Sequence, residues 1–299
     1  MKNIVSESIG SSERNHKASI EVMGEEVVLE RIGTDGDMDK AVQIIKELDG
    51  KVDAFGMGGI DLYMAGSKKK YMFREAKRIA EAAKVTPLVD GTGLKNTLEY
   101  IAVKYAVETE KVPIPGKKVL LVCAMDRIGM GEAFEEYDCD VTYGDIIFAL
   151  GLPIPIKSIS FIKNVGTFLM PVLTKMPFSW LYPTGDQQKE KKTTHSRYYT
   201  DKDVIAGDFL YIKRYLPERI DGKIVVTNTV TDSDVRDLKD RGASVLITTT
   251  PEIQGRSFGT NVIEAMLVSF ADKPSDQLTG GDYIELINKL NIKPRVVRY

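Results

Sequence analysis

The sequence is poor in the residues that most often announce chemistry: its 299 positions hold two cysteines, two histidines and one tryptophan. Cys123 and Cys139 cannot build a disulfide framework, and both sit on or beside apolar runs. A thiol there serves as a small core residue in a reducing compartment. His16 and His195 are isolated in polar loops, so no zinc spacing exists and no metal is expected. No G-x-S-x-G, Walker A or H-E-x-x-H string occurs. The net charge of −2, from 41 basic and 43 acidic residues, excludes a global field for nucleic acid or anionic membrane. MKNIVSESIG lacks the apolar core of a signal peptide. The greasiest stretch, 146–181, is broken by Lys157, Lys163, Lys175 and four prolines. It falls short of the ~20 apolar residues needed to span a bilayer. These absences predict a cytoplasmic protein with no membrane span and no nucleic-acid partner.

What is present is globular: 43% apolar and 28% charged residues, enough for a sizeable core. Strand-like runs open the chain, with a hairpin over 18–32 turning at Met23-Gly24-Glu25. Thr34-Asp35-Gly36-Asp37 supplies cap chemistry for a helix over 38–48, where Val42, Ile45 and Leu48 share a face. A strand at 52–56, a small hairpin around Ala65-Gly66-Ser67, a helix over 74–84, a strand at 87–90 and a helix over 94–107 follow. Residues 108–117, ETEKVPIPGK, read as a linker. KVLLVCA (118–124) then begins a second alternation: helix 129–137, strand 140–143, an excursion over 146–202, and strands at 204–206, 223–227 and 244–248 separated by helices. A helix over 261–271, another over 283–290 and a strand at 295–298 close the chain. The expectation is an α/β fold of two lobes, each a mostly parallel sheet with flanking helices, the second Rossmann-like. The predicted division is 1–112, an N-terminal lobe that would hold substrate, and 113–299, a nucleotide-binding lobe carrying the excursion.

In open parallel sheets ligands bind beyond the carboxyl ends of the strands, so the turns there are the informative positions. Gly56-Met57-Gly58-Gly59-Ile60-Asp61 offers glycines for close backbone approach, or simply a tight turn. Asp90-Gly91-Thr92-Gly93-Leu94-Lys95-Asn96 joins strand to helix and suits an anion, or is a capped helix with a solvated lysine. A lysine in a first helical turn opposes the helix dipole and needs a reason. After KVLLVCA come Asp126, Arg127 and an imperfect Gly129-x-Gly131, with Phe134 where a third small residue is usual. Asp145 stands where a ribose-binding acid is expected, somewhat early in spacing. Thr227, Asn228 and Thr248 end later strands and can hydrogen-bond a carboxamide or ribose, or merely cap and fit strands. Gly255-Arg256-Ser257 leads into the long helix after Gly259-Thr260. In the excursion Phe161, Val165, Phe168, Leu169 and Val172 recur at helical spacing, predicting a packed helix or, over 146–183, a homodimer surface.

The strings ERIGTDGD, FGMGGIDLY, PLVDGTGLKNTLE, FSWLYPTG, AGDFLYIKRYLP and GRSFGTN resemble, nearly end to end, a clostridial family labelled quinate 5-dehydrogenase. The resemblance implies an N-terminal substrate lobe, a C-terminal NAD or NADP lobe and an acid/base lysine with an aspartate. The N-V-T-x-P-x-K and N-T-D-x-x-G strings that carry that pair in quinate/shikimate dehydrogenases are absent here.

The leading expectation is an NAD(P)-dependent oxidoreductase for a small hydroxylated carboxylate such as quinate or shikimate. Lys95 would be the acid/base group with Asp61 or Asp90. Asp126, Arg127, Gly129, Gly131, Asp145, Thr227, Asn228 and Thr248 would hold the cofactor. Gly58, Gly59, Thr92, Asn96 and Arg256 would hold substrate. Two alternatives stand: a nucleotide-sugar transferase with a diphosphate on Arg256, and a non-catalytic ligand-binding or assembly protein.

Overall fold

A computed structural model describes the chain except residues 66–69, 74–75, 174–194 and 255. It contains two units. The first is built on Met1–Leu94, the described residues of Thr167–Gln188 and Gly259–Ile292; the second on Lys95–Gly166, the described residues of Lys189–Phe258, and Lys293–Tyr299.

In the first unit β1 (Lys2–Ser8), β2 (His16–Val22) and β3 (Glu25–Gly33) open a five-stranded sheet of order β2-β3-β1-β4-β7. The hairpin expected over 18–32 is β2–β3, paired antiparallel up to Val22 and Glu25. Both turn residues have positive φ, Met23 at 55° and Gly24 at 76°, the combination that matches strand twist in a two-residue turn. β1 pairs in parallel with β3 and with β4 (Ala54–Gly58). Helix α1 (Met38–Leu48) starts where Asp37 accepts the Lys40 amide, as the cap chemistry predicts. A short hairpin joins β5 (Tyr63–Ala65) and β6 (Lys70–Met72), its tip lying outside the described residues. The helix expected over 74–84 is only one turn, α2 (Lys77–Ala80), beyond residues 74–75, which are not described. β7 (Leu88–Val89) completes the sheet beside β4. Val5, Phe55 and Met57 meet Ile45 of α1 and Ile79 of α2 in one core.

Helix α3 (Thr92–Glu108) begins in the first unit and belongs from Lys95 onward to the second. There β8 (Lys118–Leu121), α4 (Ile128–Glu136), β9 (Asp140–Tyr143), α5 (Asp145–Leu150) and α6 (Ile159–Leu173) follow. The apolar excursion is thus helical up to Leu173, with Ile159 and Ile162 buried in the unit's core; FSWLYPTG and the lysine-rich run lie outside the described residues. After α7 (Arg197–Thr200) come β10 (Val204–Gly207), α8 (Phe209–Tyr215), β11 (Ile224–Thr227), α9 (Asp232–Asp240) and β12 (Val245–Thr248). α9 opens with a reciprocal capping box between Thr231 and Asp234. Successive strand residues face opposite sides: Val119 and Leu121 meet Val103 of α3 and Phe134 of α4, while Leu120 meets Ile212 of α8 and Leu238 of α9. Helices therefore cover both faces, and strands buried on both sides read as continuous apolar runs.

A two-residue hairpin, β13 (Glu252–Ile253) with β14 (Arg256–Ser257), precedes the two helices α10 (Thr260–Ser269) and α11 (Gly280–Lys289). α10 lies on β1, β4 and β7 of the first unit. This corrects the predicted division at 112, which placed α10 and α11 in the second lobe. The sequence signals local elements only, and the contacts that recruit α10 are distant in the chain. The closest is at Gly56, where any Cβ would come within 2.6 Å of the Asn261 carbonyl oxygen. β15 (Arg295–Arg298) then returns to the second sheet, antiparallel to β12.

The second sheet has the order β15-β12-β11-β10-β8-β9, with β8 through β12 mutually parallel. Its parallel part follows the flavodoxin-like winding rather than that of two joined mononucleotide halves. β9 and β10 flank β8 on opposite sides, so the chain leaves β8 and β10 in opposite directions. In open sheets of this winding, ligands bind at such a topological switch point, here beyond the carboxyl ends of β8 and β10. Among the described residues no helix is long and apolar enough to cross a membrane.

Candidate functional site

At that switch point the second unit gathers five ionisable side chains. Lys95 and Glu99 lie four residues apart on α3 and so project from one face. Asp126 and Arg127 follow β8, and Asp208 follows β10. Lys95 Nζ donates to Asp126 Oδ1 at 2.7 Å. Arg127 donates through Nη1 to Glu99 and through Nη2 to Asp208 Oδ2 at 3.0 Å. Its Nη2 also lies 3.5 Å from Asp126 Oδ2. Asn228, at the end of β11, donates to Asp208 Oδ2 at 2.8 Å. The pair at the bottom is nearly sealed: Arg127 is 5% and Glu99 2% exposed, whereas Asp126 and Asp208 keep 18% and 20%. Glu99 Oε2 and Arg127 Nε are buried without a hydrogen-bond partner.

The electrostatics follow from this layering. Burial pushes the Glu99 carboxyl up to about 7 against the pull of Arg127. Burial also acts to raise Asp126, but Lys95 and Arg127 beside it outweigh that and hold it below the usual range. Burial and nearby acids push the Cys123 thiol well up, leaving it an unreactive thiol.

The structure brings together Lys95, Asp126, Arg127 and Asn228 from the predicted set. Lys95 has its reason: its charge meets Asp126. Glu99 and Asp208 escape sequence reading because a glutamate four residues after a lysine looks like a solvated helical pair. Asp208 looks like a helix cap, which it also is, accepting the Leu210 amide at 2.9 Å.

The other predicted cofactor residues are engaged within the protein. Asp145, expected to hold a ribose, instead accepts the backbone amides of Ala124 at 3.1 Å and Met125 at 2.8 Å. Burial lifts it to about 6 against those same hydrogen bonds. Gly129 lies under the Asn96 backbone, where a Cβ would overlap the carbonyl oxygen, and Asn96 Oδ1 accepts the Gly129 amide at 3.3 Å. A Cβ on Gly131 would come within 2.8 Å of Ile159. Thr227 Oγ1 donates to the Gly207 carbonyl and Thr248 Oγ1 to the Thr250 carbonyl, both threonines being fully buried. Gly129→Ala tests the packing reading. In an open helix this exchange is neutral to stabilising; here overpacking against α3 is expected to cost about 1–3 kcal/mol, read as a lower midpoint in urea unfolding.

The glycine-rich turn at the start of α3 is filled in the same way, within the first unit. Gly91 N donates to Glu264 Oε2 at 2.5 Å, and Tyr283 Oη donates to Glu264 Oε1 at 2.6 Å. The anion at this helix N-terminus is the chain's own carboxylate. Asp90 is 8% exposed and accepts from the Leu62, Tyr63 and Thr92 amides and from Thr92 Oγ1. It is a turn-building aspartate, both of whose oxygens accept hydrogen bonds within the loop. Thr92 Oγ1 also contacts the Tyr63 carbonyl at 3.2 Å. Asp61 belongs to this unit, whereas the carboxylate paired with Lys95 is Asp126. Gly58 and Gly59 are crowded by Ser8 and by Gly10, within 3.2 Å and 2.9 Å of any Cβ, rather than aligned on a substrate. Gly255 and the Arg256 side chain lie outside the described residues. Among the described residues no group of three or more His, Cys, Asp or Glu side chains is placed to hold a metal ion.

Two family models match the chain: Domain of unknown function (DUF8753) over residues 3–90 and Domain of unknown function (DUF8754) over residues 93–299. No curated protein matches it. Solved structures similar in fold include a galactofuranose binding protein at 12% identity and TM-score 0.37, covering 97% of this chain and 99% of that one. Another is an ABC transporter periplasmic solute binding protein from Actinobacillus succinogenes 130z with bound D-allose, at 11% identity, 100% and 98% coverage and TM-score 0.40. A third is an ABC transporter solute binding protein from Agrobacterium vitis bound with alpha-D-tagatopyranose, at 9% identity, 100% and 95% coverage and TM-score 0.42. Such distances speak to fold alone.

The expectation of an oxidoreductase using NAD or NADP on quinate or shikimate is corrected. Gly129 and Gly131, assigned to the pyrophosphate, pack against Asn96 and Ile159, the Gly129 amide donates to Asn96, Asp145 is spent on the Ala124 and Met125 amides, and the winding is not that of two joined mononucleotide halves. These residues do not fit the cofactor.

Proposed function

The chain belongs to the family described as Domain of unknown function (DUF8754), which brings no reaction with it, and from its own geometry we propose a non-catalytic binding protein for a small, hydroxylated, non-anionic molecule. The ligand sits at the carboxyl ends of β8, β10 and β11. One observation carries this reading: Lys95 and Arg127 are both matched by carboxylates, and the more exposed atoms of the cluster belong to Asp126 and Asp208. Among the described residues an anion would meet acceptors there, with both cations already matched. A hydroxyl is donor and acceptor at once, so it can give to Asp126 or Asp208 and accept from Lys95 or Asn228. The backbone amides of Ala124 and Met125 after β8 are taken by Asp145, which further disfavours phosphate-bearing ligands.

A thermal-shift panel of hexoses and polyols against NAD(H), NADP(H) and uridine nucleotides tests this. A ligand at a hundred times its Kd adds about 2.7 kcal/mol, roughly 5–10 °C for a domain of this size. A hexose or polyol is expected to give such a shift, and Asp126→Ala to abolish it. Stabilisation by the nucleotides, with none by any hydroxylated neutral compound, would refute the proposal.

A further inference from the structure

Counting charges at the switch point sharpens the ligand's chemistry. Asp126, Asp208 and Glu99 give three negative charges against two positive ones from Lys95 and Arg127. Asp145, on α5, adds to the negative side, since it and Asp126 raise each other's cost of ionisation. The odd charge falls on Glu99: one of its oxygens contacts Arg127 and the other, Oε2, is buried with no hydrogen-bond partner. Every charged group facing Glu99 from the packed elements belongs to this cluster: Lys95 on its own helix, and Asp126 and Arg127 from the turn after β8. Lys95 at 12% and Arg127 at 5% exposure lie deeper than Asp126 and Asp208 at 18% and 20%. Among the described residues the cluster therefore presents carboxylates to an incoming molecule and holds more acids than cations.

We propose that the ligand of this site is a hydroxylated amine, its ammonium group seated on Asp126 and Asp208 and its hydroxyls on Lys95 and Asn228. The assignment rests on the binding-protein reading and narrows it. An ammonium donates up to three hydrogen bonds and accepts none, which suits two carboxylates already bonded on one side. It offsets part of the excess of acids in the cluster. With a cation in place the ionised form of Glu99 is favoured, so a carboxyl held at about 7 gives up its proton as the ligand arrives.

Calorimetric titration with matched pairs tests this on the full chain: glucose and glucosamine, galactose and galactosamine, sorbitol and 1-amino-1-deoxysorbitol, at pH 7 and 50 mM salt. In the pair that binds, the amine is expected to bind at least tenfold tighter than its neutral parent. The preference shrinks severalfold at 500 mM salt, because partly exposed charges are screened. The enthalpy differs between buffers of different ionisation enthalpy, reporting the released proton, and that difference disappears in Glu99→Gln. Asp126→Asn, checked for folding by its melting curve, brings amine and parent within twofold of each other. A neutral parent binding as tightly as its amine overturns the amine assignment and leaves the binding-protein reading standing. An amine preference that survives both high salt and Asp126→Asn overturns it too. Silence of all six compounds alongside binding of a nucleotide overturns both.

Discussion

Glu7→Gln is expected to make the protein markedly less sensitive to alkaline pH. Glu7 lies on the central strand of the first sheet and is 1% exposed. Thr34 Oγ1 reaches its Oε1 only at 3.4 Å, and Oε2 has no hydrogen-bond partner. Burial dominates and pushes the carboxyl up to about 8, with Thr34 and Arg31 pulling less strongly the other way. The folded state therefore keeps a proton that the unfolded chain has lost. This contribution is intact below the ordinary glutamate value of 4.5 and disappears as pH rises through about 8. Each pH unit in that window costs about 1.4 kcal/mol, so several kcal/mol are lost across it. Urea unfolding from pH 5 to 9 should show wild type falling steeply and Glu7→Gln falling by one proton's worth less. Equal slopes for the two proteins would mean that Glu7 is ionised in the fold.

The second large effect belongs to Arg127. Removing it as Arg127→Met leaves Glu99, Asp126 and Asp208 facing one another with Lys95 the remaining cation of the cluster. Deleting one partner of a buried pair typically costs about 3–5 kcal/mol, because the charge left behind is uncompensated. The loss should be largest above neutrality and smaller near pH 5, where Glu99 takes up a proton. Adding Glu99→Leu should recover part of it, since an apolar replacement of both partners is often nearly neutral. A double-mutant cycle in urea reads the coupling directly. Additive losses for the two positions would show that the pair contributes nothing beyond its separate contacts.

The elements were largely legible because their signals are local. Continuous apolar strands such as 118–121 and 224–227, the Asp37 and Thr231 caps, and the Met23-Gly24 turn each follow from a few adjacent residues. The turn at Gly91 was legible as a place for negative charge, and its amide meets a carboxylate, as do the amides of Ala124 and Met125. What sequence could not supply is that those carboxylates are Glu264 and Asp145, the first 173 positions away. A helix terminus looks the same in sequence whether a ligand or a distant side chain meets it. Gly129-x-Gly131 misled for a related reason, since a glycine that admits a neighbouring helix and one that admits a phosphate are the same letter. Glu99 and Asp208 acquire their meaning only from the strand order that brings them to Arg127.

The return of α10 to the first sheet sets a timetable for biosynthesis. When Val89 leaves the ribosome all five strands of that sheet exist, yet the helix that lies across β1, β4 and β7 is still some 170 residues from being made. At about 5–20 residues per second the nascent sheet waits on the order of ten to thirty seconds with one apolar face uncovered. During that interval it is a natural client for a chaperone that holds exposed strands, and ribosomes stalled between codons 90 and 260 should carry it.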